Sequence, residues 1–312
     1  MKKLLLSIIA VVVTVAALGT STFAWFTLSN KAEIGQFNAE VTAGDGIELS
    51  LDGDNWYSVL TSDLINGWLE VEYGATPVLT DLTSSNGVTF SKMVLTDDTT
   101  EDSGNEYGTV TYVPETEGFI EFQVFFRAQA ATDIYWTDAQ LGGEENEWIS
   151  DAEFTYHSAV VATNSVTVSA ANAARISVAE ASAATAFVYE LAGSGTNFHL
   201  GSGTGVTVPA AGAVSYFNAK NEYNQIPAAT TINLPVNVFN EFTENGIVGT
   251  TEVPDGQRVL TLIGSEVVNG ITYKTGSVDV RVWIEGWDAD AFNAILSLPL
   301  FASLKFEGVT IA

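Results

Sequence analysis

Apolar residues in this chain recur at every second position in several short runs, and that period restricts the fold more than any other feature. Between Gly118 and Arg127, the residues Ile120, Phe122, Val124 and Phe126 fall on one side and Glu121, Gln123 and Arg127 on the other. From Ser277 to Glu285 the same pattern sets Val278, Val280, Val282 and Ile284 against Asp279, Arg281 and Glu285. Ile47, Leu49 and Leu51 alternate with Glu48, Ser50 and Asp52, and Leu304 and Phe306 with Ser303, Lys305 and Glu307. Successive side chains of a strand point to opposite faces, so this period describes strands with one buried face, the habit of antiparallel sheets packed on one side. Asn-Gly and Asp-Gly pairs separate the runs at 45–46, 52–53, 66–67, 86–87, 245–246, 255–256 and 269–270, and supply the positive φ that tight hairpins need. The pattern predicts an all-β fold, a jelly-roll-like antiparallel β-sandwich. Residues 37–312 read as a single elaborated domain, with two β subdomains as the alternative. One short helix is expected near the C-terminus, from about Ala289 to Ser297, with Asp288 as N-cap, Phe292, Ile295 and Leu296 as its apolar stripe and Pro299 as its stop. The Ala-rich stretches 170–174 and 179–186 have helical composition, but the flanking Ile176–Val178 and Phe187–Tyr189 suit strands.

The N-terminus reads as an export signal over residues 1–24. Lys2 and Lys3 form a positive start, Leu4–Leu18 is an apolar run, and Thr22-Phe23-Ala24 places small residues where a signal peptidase cuts. An uncleaved anchor is the competing reading, since Leu4–Phe26 is nearly long enough to span a bilayer. Either way the remainder is exported to the cell surface or the extracellular space, and the membrane is touched only through the signal. The 312 residues hold 11 Lys+Arg against 38 Asp+Glu, a net charge of −27 that repels phosphate and excludes nucleic acid as a partner. Hydrophobic content of 46% excludes a disordered chain. With no cysteine there is no disulfide, thiol nucleophile or cysteine zinc site, a usage that fits a Gram-positive-type surface.

Two acidic clusters stand out. One holds Asp97, Asp98, Glu101, Asp102 and Glu106, the other Glu144, Glu145, Glu147, Asp151 and Glu153, and neither has a basic residue nearby in sequence. Calcium is the cation whose oxygen-ligand chemistry such loops match, with Asp97, Asp98, Glu101 and Asp102 as the candidate ligands. Neither cluster has the EF-hand spacing, so the solvated loop leads and no cofactor is expected. His157 and His199 are 42 positions apart and form no ligand motif; Gly201-Ser-Gly-Thr-Gly205 is a glycine run without a phosphate-binding lysine, and no Gly-x-Ser-x-Gly occurs. No motif points to an enzyme. Six tryptophans, Trp56, Trp68, Trp136, Trp148, Trp283 and Trp287, offer rings for stacking on sugar, with Trp283 expected to be exposed beside Arg281 and Glu285; against this, tryptophans mostly fill cores.

The two ends of the chain carry a resemblance. Phe23-Ala24-Trp25-Phe26, followed after a polar stretch by Phe37-Asn-Ala39-Glu-Val41, resembles the start of the TasA/camelysin family of exported proteins of Firmicutes and their relatives. Arg281-Val-Trp283-Ile-Glu285-Gly286-Trp287-Asp288-Ala-Asp290 resembles a segment that recurs in surface proteins sharing this start. The likeness covers about 60 of the 312 residues, and this chain is longer and poorer in lysine than the family. The family name points to a metalloprotease, but there is no His-Glu-x-x-His here. The resemblance implies a jelly roll, processing by a dedicated signal peptidase, and head-to-tail polymerisation into fibres such as those of biofilm matrices. In fibre-forming members the segment after the signal completes the sheet of the next subunit. Here that donor is 25–36, with Trp25, Phe26, Leu28 and Ile34 as its apolar side chains. The expectation is thus a non-enzymatic structural protein whose partner is itself. The alternative is a monomeric surface module that binds glycan through Trp283 and Trp287.

Overall fold

The computed structural model describes residues 23–24, 37–44, 46–74, 78–96, 108–161, 164–193, 202–221, 225–227, 229–244, 246–248 and 251–310. Two sheets form the body. The larger runs Val238–Phe239, Phe187–Tyr189, Ala174–Glu180, Ile271–Glu285, Ile120–Ala128 and Ile47–Ser50, with Gly264–Val268 and Asp81–Leu82 also paired to Ile271–Glu285. The smaller runs Gln257–Thr261, Asp133–Gly143, Leu300–Val309, Phe37–Ala43 and Val59–Leu60. Pairing is antiparallel except where Phe37–Ala43 lies parallel to Leu300–Val309, Val238–Phe239 to Phe187–Tyr189, and Asp81–Leu82 to Ile284–Glu285.

The sheets pack face to face as a sandwich. Phe122, Val124, Phe126, Val278, Val280 and Val282 from the larger sheet meet Ile134, Trp136, Leu304 and Phe306 from the smaller in one continuous core. The rings of Phe126 and Phe306 lie 5.2 Å apart, edge to face across the layer. Every alternating run identified above buries its apolar set on this side, with Leu51 only partly buried. The Asn269-Gly270 turn has positive φ at both residues, 53° and 80°, and joins Val268 directly to Ile271, the two-residue hairpin that the dipeptide predicts.

The helices differ from expectation. Asn66-Gly67 makes no turn but lies inside the helix Ser62–Tyr73. Ile65 and Leu69, four residues apart, anchor that helix in the core, and Gly74 ends it at φ 72° with its N–H bonded to the Glu70 carbonyl. A second helix, Ala213–Lys220, was also not foreseen. The expected helix at 289–297 shrinks to the single 3₁₀ turn Asn293–Ile295. Its opening carbonyl is taken elsewhere: Ala289 O accepts from Ala213 N at 2.8 Å, and Phe292 N folds back to Asp290 O. Of the Ala-rich stretches, only Ala170–Ala173 makes a helical turn, capped by the Ser169 hydroxyl; Ala174–Glu180 and Phe187–Tyr189 are strands, as read.

Truncating a ring at the sheet interface tests the packing. Phe126→Ala should lower unfolding free energy by about 3–5 kcal/mol, measured by urea denaturation. A loss below about 1 kcal/mol contradicts the face-to-face arrangement.

Candidate functional site

A third layer lies in front of the larger sheet. The strands Phe90–Thr96 and Thr109–Glu115 form a hairpin in which Phe90 pairs with Glu115 and Thr96 with Thr109. Met93 and Leu95 are buried against Val208, Phe217, Ile226, Ile232 and Trp287, while Phe90 packs on Leu82, Val188 and Trp283. The hairpin is therefore anchored along its length, whereas Tyr112 and Val113 on its outer strand are exposed.

The inner border of Phe90–Thr96 is shared by two short partners. Thr83 and Ser91 exchange both backbone bonds at 2.9 Å. Phe23–Ala24 then pairs antiparallel, Phe23 with Leu95 and Ala24 with Val94. Because hydrogen-bonding direction alternates along an antiparallel strand, Met93 and Leu95 present their N–H and C=O groups to the same border as Ser91. Pro114, opposite Ser91, stands on the outer strand. The last two residues of the expected signal thus occupy a strand edge, and the chain resumes as the core strand Phe37–Ala43. The donor residues Trp25, Phe26, Leu28 and Ile34 lie outside the described residues, as do the calcium candidates Asp97, Asp98, Glu101 and Asp102 and His199. In the second acidic cluster, Asp151 finds a counterion through tertiary contact, Lys220 at 2.9 Å, and accepts from the Tyr216 hydroxyl at 2.9 Å.

Where hairpin meets sheet, the 281–290 segment forms a buried polar junction. Arg175, 4% exposed, pairs with Glu190 at 2.6 Å and Asp288 at 2.7 Å. The Tyr156 hydroxyl donates to Asp290 at 2.5 Å, and burial, reinforced by the carboxylate charge, holds the phenol proton on. Glu285 accepts from Trp283 Nε1 at 3.3 Å and from the Trp287 N–H at 3.4 Å. Its burial outweighs the attraction of Arg175 and raises its pKa to about 7. Asp81, on the strand beside it, is likewise raised by burial to about 7, against the pull of Lys92. Asp81 Oδ2 has no hydrogen-bond partner among the described residues. Gly286 threads the junction: a Cβ there would lie 2.3 Å from Met93 Cε. This network was not foreseen, because Arg175 and its partners Glu190 and Asp288 come from separate segments that only the fold brings together.

Trp283 and Trp287 are wholly buried, which corrects the expected exposure of Trp283 and removes both rings as a sugar-stacking platform. The 81–90 segment and the hairpin cover the strand face on which Trp283 was expected to meet solvent. Trp136 is buried too, and Trp56, Trp68 and Trp148 are partly exposed. Among the described residues no group of three or more acidic or histidine side chains is arranged to hold a metal, and no helix is long and apolar enough to cross a membrane. Comparison with protein-family models, curated proteins and solved structures finds no match.

Two carboxyls whose folded pKa values lie above their ordinary 3.8 and 4.5 keep protons that the unfolded chain releases. Their contribution to stability is complete below about pH 4 and is lost as pH rises towards about 7. Unfolding free energy measured across that window should fall by at most about 1.4 kcal/mol per pH unit for each group. Asp81→Asn should flatten part of the slope, and an unchanged slope contradicts this assignment.

Proposed function

We propose that this chain is an exported structural protein that polymerises head to tail, each subunit donating residues 25–36 to the next. The observation that carries this reading is the pairing of Phe23–Ala24 with Val94–Leu95. Cleavage after Ala24 would take away those two residues together with the signal. It would uncover the backbone groups of Leu95 and release the apolar tip Trp25-Phe26 in the same molecule.

An open strand edge and a free extended segment are the two halves of strand addition: the ladder bonds supply affinity and the alternate side chains supply specificity. The contact joins different surfaces of the two subunits, so it continues as a filament instead of closing as a dimer. The resemblance of both chain ends to TasA/camelysin proteins supports the same mechanism. Loss of Lys2 and Lys3 with the signal takes the net charge from −27 to −29, which opposes sideways clumping of filaments and makes it sensitive to salt.

The test compares purified chains beginning at Trp25 and at Phe37 by negative-stain microscopy. The longer chain should form filaments. The shorter should remain monomeric and bind a synthetic peptide of residues 25–36 in one-to-one ratio. Equal filament formation by both chains rules the mechanism out.

A further inference from the structure

On the front of the larger sheet, the helix Ser62–Tyr73 and the Phe90–Glu115 hairpin enclose a cleft of about 660 Å³, within the size range of small-ligand sites. It is independent of the assembly edge. The helix contributes Trp68, whose partly buried indole packs against the main core and is thereby held in place. The helix is itself tied down, since the Tyr73 hydroxyl donates to the Glu121 carbonyl at 2.9 Å and accepts from the Glu121 N–H at 3.1 Å.

The polar lining is equally fixed. Arg281, 6% exposed, donates through Nε to Glu121 at 2.6 Å and through Nη2 to Asp279 at 3.1 Å. The Gln123 amide donates to the other Asp279 oxygen at 3.2 Å. Arg281 Nη1 is buried beside this floor with no hydrogen-bond partner among the described residues. An aromatic wall thus stands over a row of acceptors already oriented by one guanidinium.

Ligand classes can be separated on that chemistry. An apolar ligand would strip water from Glu121, Gln123 and Asp279 without replacing its hydrogen bonds. An anion would meet Glu72, Glu115, Glu121 and Asp279, which all line the cleft. A cation would meet a net negative cleft, since the single Arg281 guanidinium offsets only one of the four carboxylates, but it would have to draw Glu121 and Asp279 away from their bonds to Arg281. A pyranose has an apolar C–H face for the indole and a rim of hydroxyls, each able to donate to a carboxylate. We propose that this cleft binds a neutral pyranose saccharide, stacked on Trp68 and hydrogen-bonded through its hydroxyls to Glu121, Gln123 and Asp279.

The experiment titrates the mature chain with neutral disaccharides of glucose, galactose and N-acetylglucosamine, and with lysine amide as the cationic probe, following amide resonances and calorimetry. At least one disaccharide should bind, insensitively to salt. Trp68→Ala should weaken it by about tenfold or more, as expected when a stacking ring is lost, with Trp56→Ala as an unaffected control. Gln123→Ala should weaken binding while the chain stays folded, as checked by its thermal midpoint. The proposal is overturned if no disaccharide binds at tens of millimolar, if binding survives Trp68→Ala, or if only lysine amide binds.

Discussion

The strand Ile271–Glu285 cannot show its C-terminal half to water on either face. Val278, Val280 and Val282 are sealed behind it by the smaller sheet, while Arg281, Trp283 and Glu285 are buried in front. A strand covered on both sides requires a second covering layer, and the 81–96 segment with its hairpin provides it. Because alternate residues of this strand are charged, covering them leaves charges to be satisfied within the protein. Arg281 is held by Glu121 and Asp279; Glu285 is held by its indole and backbone donors within reach of Arg175. The polar junction follows from placing a charged face under a third layer.

The inner face of the sandwich was legible because period-two alternation is a local property, readable at Ile120–Phe126 or Val278–Ile284 without knowing any neighbour. The front layer was not, because coverage of Trp283 depends on residues about 200 positions away, such as Leu82 and Phe90. Local signals also competed. Asn66-Gly67 has turn chemistry, yet Ile65 and Leu69 supply enough core contact to carry the helix through it. Asp288 looked like a helix cap, and its carboxylate does accept from the Asp290 N–H, but its other oxygen is drawn to Arg175. The Ala289 carbonyl is likewise taken by Ala213, so the helix never starts. Asp288 therefore caps no helix, and the diversion of its carboxylate to a tertiary contact was beyond the reach of a local pattern.

The front layer borders both the cleft and the paired strand edge. Phe90 borders the cleft while Met93 and Leu95 lead to the edge, all on one seven-residue strand. Anchoring of that strand by Trp283 and Trp287 explains why two large indoles near a polar face serve as ballast for the hairpin and not as ligand contacts. Among the described residues, Arg175 and Arg281 each stand between two carboxylates and so meet part of the acidic excess within the protein.

Pro114 gives the hairpin two unlike borders. Ser91 directs its backbone bonds to Thr83, so the proline facing it turns its ring nitrogen outward, where another residue would offer a hydrogen. A strand arriving from that flank meets a missing donor, and sheet-upon-sheet accretion of the amyloid kind is discouraged there. The hairpin is consequently polar in the geometric sense: strand-paired along one margin and blunted along the other.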